Sequence, residues 1–179
     1  KGAGLALEAI PADIDERAIE EGGAYAPQEL TLALASAKAE HISKKHTESY
    51  VIGADQVLVF ENEILHKANT TQEAESKLKK LRGQTHRLIS AASLYKGGQK
   101  IWDGQDEAQL TMHNVSDRFL ERYIEKAGKA LEQCVGGYAL EDVGAWLFES
   151  IEGDYFTILG MPLLPLLGAL RQEAMGEGE

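Results

Sequence analysis

The stretch VIGADQVLVF, residues 51–60, decides the fold. Eight of its ten residues are apolar or glycine, which predicts a strand buried on both faces. Asp55 and Gln56 interrupt the run, and a carboxylate and an amide at such a place cost several kcal/mol unless partners bind them. One interpretation puts both side chains in solvent at the end of an edge strand. The other makes them serve one ligand, which requires Gly53 to let the strand bend.

Composition limits the class of protein. A chain of 179 residues with 44% hydrophobic and 26% charged residues is typical of one folded domain and excludes a disordered chain. No apolar run approaches a membrane span, and no signal peptide opens the sequence. The single cysteine, Cys134, excludes an internal disulfide and indicates a reducing cytoplasm. The net charge of −11 argues against nucleic-acid or anionic-membrane partners, so a polyanionic ligand needs local cations or a metal.

Hydrophobic periodicity, caps and turn residues predict strands that alternate with helices. Strands are expected at 4–10, 51–60, 64–67, 86–95, 99–113 and 144–151. Helices are expected at 27–46, 69–83, 117–128 and 162–175, with a loop over 11–27. This order predicts an α/β fold, a single domain with a mixed β-sheet flanked by helices.

Several charged side chains are candidates for a site around Asp55. A carboxylate fixed at a strand bend suits a general base or a metal ligand. Lys67 follows the predicted hairpin, which brings it back beside Asp55, although a lysine there is ordinarily solvated. Lys38 lies at the border of an apolar helical stripe, where snorkelling is the ordinary explanation. Asp13, Asp15 and Glu16 form an acidic loop whose oxygens suit Mg²⁺ but are by default solvated.

Other motifs carry less information. His41 and His46 are spaced poorly for a shared metal on one helical face, and His86 in a strand is more often structural than catalytic. Neither a glycine-rich dinucleotide pattern nor a phosphate-binding P-loop occurs. Cys134 has no evident partner base and is interpreted as structural.

Five segments in order resemble the Maf family of nucleotide pyrophosphatases over essentially the whole chain. The segment VIGADQVLVFENEILHKA resembles the family's G-A/S-D-T/Q motif, hairpin and G-K-P. The others are IPADIDE (P-x-x-[VI]-D-E), LALASAKAE (L-A-x-x-K-A), LRGQTHRLISA (L-x-G-x-x-H-x-V) and the final VGGYALEDVGAWLFESIEGDYFTILGMPLLPL (A-G-x-Y-x-x-[QE]-G-x-G, then I-x-G-x-x-x-x-[VI]-x-G-L-P).

The resemblance implies a cytoplasmic enzyme that hydrolyses a nucleoside triphosphate to the monophosphate and pyrophosphate with Mg²⁺ or Mn²⁺. It implies an elongated domain with a cleft between two lobes, similar to the inosine triphosphate pyrophosphatases. Asp55 matches the family's proton acceptor and, with Glu16, a metal ligand. Lys38 and Lys67 match cleft residues that handle the polyphosphate. The resemblance leaves a homodimer open.

The chain departs from the family pattern in three places. The family's first strand and its Ser-x-Ser-x-x-Arg-Arg loop are missing, and the chain begins where the following helix should end. Ala68 replaces a proline, and Gly136-Gly137 replaces Ala-Gly. Because the family is also linked to septum formation, a catalytically impaired, nucleotide-binding division regulator is the rival hypothesis.

Two positions bear on the nucleobase. Family members that act on dTTP or UTP carry threonine after the acidic residue and glutamine in Y-x-x-Q, whereas this chain has Gln56 and Glu141. That pair resembles the branch that acts on 7-methyl-GTP. A carboxylate accepts hydrogen bonds from N1–H and the exocyclic amine of guanine, but it meets carbonyls on both sides of the N–H in uracil and thymine. The alternative is that Glu141 points outward and Gln56 merely packs, which leaves a dTTP/UTP pyrophosphatase open.

Overall fold

The structure, a computed structural model, describes residues 4–174. The strands are β1 (Val51–Phe60), β2 (Glu63–Leu65), β3 (Thr85–Lys96), β4 (Gln99–Met112) and β5 (Phe148–Glu152). The α-helices are α1 (Glu16–Glu21), α2 (Pro27–Ser43), α3 (Thr71–Leu81), α4 (Asp117–Ala127), α5 (Ala130–Gln133), α6 (Tyr155–Ile158) and α7 (Leu163–Ala174). A 3₁₀ helix covers Val143–Leu147. None of the helices in this described part is long and apolar enough to cross a membrane.

The five strands form one sheet in the order β2-β1-β3-β4-β5. All four pairings within residues 4–174 are antiparallel, so the expected mixed sheet is corrected to an antiparallel one. Tight turns account for two of the pairs, since they return the chain from β1 to β2 and from β3 to β4. The β1–β3 and β4–β5 pairs form across the longer connections 61–84 and 113–147. Gly97 and Gly98 both have positive φ, as a two-residue hairpin turn requires. The predicted α/β class and the single domain with flanking helices are confirmed.

Helices cover both faces of the sheet. Helix α2 packs on the face that carries Val51, Gly53 and Asp55, where Ser36 on the helix bonds the Tyr95 hydroxyl at 2.9 Å. The opposite face carries the main core, in which Leu58 and its strand partner Leu88 pack beneath α3 and α4. A smaller cluster joins the same face to α7. The sheet therefore forms the middle of three layers.

Three predicted elements differ from the structure. Residues 4–10 form no strand, because no neighbouring strand pairs with them among the described residues, and Leu7 is 52% exposed. The predicted loop over 11–27 contains α1, whose first turn Asp15 caps by accepting a hydrogen bond from the Ala18 amide at 2.9 Å. The predicted strand 144–151 begins later, at Phe148, after the 3₁₀ helix.

Gly53 has a different role from the one expected. The pairing of β1 with β3 runs without a register shift from Val51 to Val59, so the predicted bend is wrong. A Cβ atom at Gly53 would lie 2.2 Å from the Ala35 carbonyl oxygen and 2.6 Å from the Ala39 amide. The glycine therefore allows α2 to lie close against the strand. Because the strand is regular, neighbouring side chains at 55 and 56 point to opposite faces.

Candidate active site

A cleft of about 650 Å³ opens at the edge of β1. Among the described residues β2 pairs only with Leu58–Phe60, so residues 54–57 lie at an uncovered edge of the sheet. The cleft reaches both faces around this edge, which explains how side chains on opposite faces share it. All six site residues predicted from the sequence line this cleft: Glu16, Lys38, Asp55, Gln56, Lys67 and Glu141.

An ion-pair cluster forms the wall of the cleft between β1 and α2. The Lys38 ammonium lies 2.5 Å from Asp55 Oδ1 and 3.0 Å from Glu16 Oε1. The Asp55 side chain is only 12% exposed and that of Lys38 21%, whereas Glu16 is 53% exposed. One lysine therefore holds a buried carboxylate and an accessible one together. Lys38 is the direct cation at Asp55, rather than a snorkelling surface residue.

The electrostatics of the cluster favour a reactive carboxylate. Burial is the largest influence on the pKa of Asp55 and raises it above its usual range, and the Glu16 carboxylate raises it further. Lys38 lowers the pKa of Asp55, and Lys67 lowers it by a smaller amount, but together they do not cancel the increase. Burial lowers the pKa of Lys38, but the ion pairs with Asp55 and Glu16 outweigh burial and leave the pKa raised. Lys38 thus stays charged, and Asp55 is an ionisable group with enhanced basicity.

Lys67 lies farther from Asp55 than predicted. It is exposed on the loop after β2 and forms no ion pair within 4.0 Å among residues 4–174, so the expected Asp55–Lys67 pair is corrected to Asp55–Lys38. The hairpin does bring Lys67 to the cleft, close enough for its charge to lower the pKa of Asp55. A cation at this rim is available to an anionic ligand.

Gln56 is held firmly on the opposite face of the strand. Its amide nitrogen donates to Ser90 Oγ at 2.9 Å and faces the carbonyl oxygens of Thr157 and Ile158 at 3.0 and 3.1 Å. Ser90 Oγ also donates to the Thr157 carbonyl at 2.7 Å. These bonds fix the last turn of α6 and leave the amide oxygen of Gln56 directed away from it. Ser90 and this turn were not found from the sequence, because only the strand register brings them to Gln56.

The segment 135–141 forms the wall opposite α2. The Tyr138 hydroxyl lies 2.5 Å from His86 Nε2, and both side chains are buried. His86 is therefore structural, as predicted, and burial lowers its pKa to about 4, so it is neutral at pH 7. Glu141 is exposed at the end of the segment, at the rim of the cleft.

Cys134 also lines the cleft. The sequence predicted only a structural role for this residue. Burial raises the pKa of its thiol, Glu141 adds to the increase, and Lys67 opposes it. Its thiol thus lies within electrostatic reach of both charged residues of the rim. No sequence pattern predicts this, because the position depends on how 134–141 returns to the hairpin.

The donor set agrees with a divalent metal of the Mg²⁺ type. No group of three or more His, Cys, Asp or Glu residues converges within residues 4–174. Mg²⁺ is ordinarily held by one or two carboxylates together with water and substrate phosphates, rather than by a protein cage. Glu16 and Asp55 supply two carboxylates that already share one cation at the cleft wall. Their chemistry fits such a metal if a phosphate ligand completes the coordination.

Comparisons with known proteins show the family of this chain. The family model described as Maf-like protein matches residues 1–173. A 7-methyl-GTP pyrophosphatase of Rhizobium etli is 45% identical over 175 residues, covering 96% of this chain and 88% of that relative. A 7-methyl-GTP pyrophosphatase of Brucella abortus is 43% identical, with coverage of 99% and 91%. A nucleoside triphosphate pyrophosphatase of Granulibacter bethesdensis is 45% identical, with coverage of 95% and 88%. The chain therefore belongs to the family of Maf-like proteins.

Proposed function

We propose that this protein is a nucleoside triphosphate pyrophosphatase, which adds water to a nucleoside triphosphate and releases the monophosphate and pyrophosphate. The observation that carries the proposal is the largely buried Asp55 carboxylate, whose side chain is 12% exposed and is ion-paired with Lys38 in the wall of a cleft. The names of the relatives support the same reaction class. The enzyme is accordingly a hydrolase of phosphoric anhydride bonds.

Asp55 acts as the general base in this proposal. Its Oδ1 is bound by Lys38, and no hydrogen bond of the described residues occupies its Oδ2. That oxygen is available to accept a proton from the attacking water. The raised pKa of Asp55 makes the carboxylate a better proton acceptor than a solvated aspartate. Lys38 fixes the orientation of the carboxylate and favours its ionised form.

The cations of the cleft handle the triphosphate. Lys67 is exposed at the rim and presents a positive charge to the leaving pyrophosphate. The cleft is lined by four carboxylates and two lysines, and the chain has a net charge of −11, so binding of a triphosphate requires the proposed metal in addition to Lys67.

We also propose Mg²⁺ or Mn²⁺ as cofactor, with Glu16 and Asp55 as its protein ligands. When bound, the metal supplies charge neutralisation and polarisation of the phosphoryl oxygens. Glu16 is suited to this task because it is half exposed and has a second oxygen besides the one on Lys38. Conversion of Glu16 to Gln should weaken Mn²⁺ binding, which calorimetry in the presence of a non-hydrolysable nucleotide measures.

The proposed substrate is 7-methyl-GTP. The exposed Glu141 carboxylate at the rim can accept hydrogen bonds from N1–H and the exocyclic amine of guanine. Gln56 contributes only an acceptor, since its nitrogen is directed at Ser90 and two backbone carbonyls. Two acceptors suit the donor edge of guanine and mismatch the carbonyls of uracil and thymine. Because Glu141 is exposed, loss of these hydrogen bonds should cost about 1 kcal/mol, a factor of roughly five in kcat/KM.

A pyrophosphate-release assay tests the proposal. The assay compares kcat/KM for 7-methyl-GTP, GTP, UTP and dTTP with Mg²⁺ or Mn²⁺, in the unmutated protein and in Glu141→Gln. We expect a guanine-type base to be preferred and the preference to narrow in the variant. Preference for a pyrimidine would refute the substrate and support a dTTP/UTP pyrophosphatase. Absence of release with every nucleotide would refute the enzyme and favour a nucleotide-binding division regulator that acts in septum formation.

We propose further that the protein works in the cytoplasm, since its only cysteine is a free thiol. We propose a nucleotide as its partner and propose that it binds neither nucleic acid nor a membrane. Size-exclusion chromatography with light scattering would decide between a monomer and a homodimer.

A further inference from the structure

Lys77 joins two cleft-lining segments that are far apart in the sequence. Its ammonium donates to the carbonyl oxygen of His66 and, at 2.8 Å, to that of Val135. His66 immediately precedes Lys67, and Val135 immediately follows Cys134. Both carbonyl-bearing residues line the cleft. One side chain on α3 therefore fixes the loop after β2 and the start of segment 135–141 relative to each other.

The arrangement is unusual for a surface lysine. Lys77 flanks the buried face of α3, next to Leu78, and is half-buried. Burial lowers the pKa of its ammonium, and the charge of Glu73 only partly opposes this. Among residues 4–174 it forms no ion pair within 4.0 Å, and its hydrogen bonds go to backbone carbonyls. Charge-assisted hydrogen bonds of this kind are stronger than neutral ones, so they suit fixing otherwise irregular backbone.

Other side chains hold each of the two segments, but among residues 4–174 no other side-chain hydrogen bond joins one segment to the other. The Tyr123 hydroxyl donates to the Gly137 carbonyl at 2.9 Å, and Tyr138 is bound to His86. These contacts hold 137–138 to the core independently of Lys77. The loop that carries Lys67 is anchored on its far side by buried Ala68 and by the Asn69 amide, which donates to Glu73 Oε2 at 2.7 Å. Lys77 adds the hydrogen bonds that set the position of this loop, and so of Lys67, relative to Val135.

We propose that Lys77 is a positioning residue for the polyphosphate end of the cleft. It holds Lys67 at a fixed distance from the wall formed by Cys134 and Val135, so that Lys67 meets the triphosphate without an ordering cost at each binding event. The expected effect on kinetics rests on the proposed function. The link that Lys77 makes between the loop and Val135 does not depend on that function.

Lys77→Met tests the proposal, with Lys79→Met as the matched control. Lys79 lies on the same helix, and its ion pair with Glu75 (2.7 Å) joins no other segment. The first readout needs no substrate: amide hydrogen exchange in the nucleotide-free protein. In Lys77→Met we expect the amides of 65–69 and 133–135 to exchange faster than in the unmutated protein. In Lys79→Met, and in Lys77→Arg, which keeps the charge and the donors, we expect these amides to exchange as slowly as in the unmutated protein. Unchanged exchange in either segment of Lys77→Met would overturn the proposal.

The second readout is kinetic. In Lys77→Met we expect KM for the nucleotide to rise about tenfold, the value of one charge-assisted hydrogen bond, with kcat little changed. We expect Lys67→Ala to raise KM clearly in the unmutated chain but much less in the Lys77→Met background, because the two residues act through one contact. Equal effects in both backgrounds would refute positioning. An unmutated chain that releases no pyrophosphate would refute the proposed function, and hydrogen exchange would still decide the role of Lys77.

Discussion

Asp55→Asn should separate activity from stability. The substitution keeps the shape of the side chain and removes a charge that is only 12% exposed. Lys38 keeps Glu16 as an anionic partner at 3.0 Å, so no buried cation is left alone. As the general base is removed, turnover should fall by about 100-fold or more. The fold should persist, because Lys38 loses one of its two anionic partners and keeps the other.

The effect on stability has a sign that depends on pH. The folded state raises the pKa of Asp55, so ionisation of this carboxyl opposes folding as pH rises from the unfolded to the folded pKa. Below the unfolded pKa both forms are neutral, and the variant should match the unmutated protein. Above the folded pKa, Asp55→Asn should be more stable than the unmutated protein, because only the unmutated protein must ionise a carboxyl whose pKa burial has raised.

Urea unfolding at an acidic and a neutral pH measures the effect on stability, and pyrophosphate release measures the effect on turnover. Asp103→Asn is the control, because Asp103 also pairs with a lysine (Lys100, 2.6 Å) but lies outside the cleft. Turnover of Asp55→Asn close to that of the unmutated protein would refute Asp55 as the base. A loss of more than about 1 kcal/mol at neutral pH would show that the Asp55–Lys38 pair stabilises the fold, contrary to the reasoning from burial.

Gly53→Ala should lower the free energy of unfolding in urea by about 1–3 kcal/mol, because the added Cβ atom would meet the Ala35 carbonyl oxygen. Gly168→Ala is the control and should not lower it, because the space around an added Cβ atom at position 168 is open. Cys134, the only thiol, should be alkylated slowly at pH 7 and faster as pH rises, since its pKa is raised, and bound nucleotide should protect it. Equal alkylation rates with and without nucleotide would contradict its place in the cleft. Tyr138→Phe should cost about 1–3 kcal/mol, because buried His86 loses its hydrogen-bond partner; an unchanged unfolding midpoint would contradict this.

Local sequence determined most of the secondary structure. Residues 51–60 form the predicted strand, Thr70 caps α3 by accepting from the Glu73 amide, and Ser116 caps α4 in the same way. These features depend on hydrophobic runs and caps within a few residues of each other. The predictions failed where the outcome depended on a distant partner. Residues 4–10 alternate like a strand, but a strand needs a neighbour and none pairs with them among residues 4–174.

The sequence also identified which residues line the cleft, through their order and resemblance to a family, but not how they pair. That Asp55 meets Lys38 instead of Lys67 depends on the close packing of α2 against Gly53, which brings the helix to the strand. The role of Lys77 depends on two carbonyl groups separated by 69 positions, from 66 to 135. No local pattern encodes such a contact, because its energy comes from burial and geometry that exist only after the sheet and helices have packed.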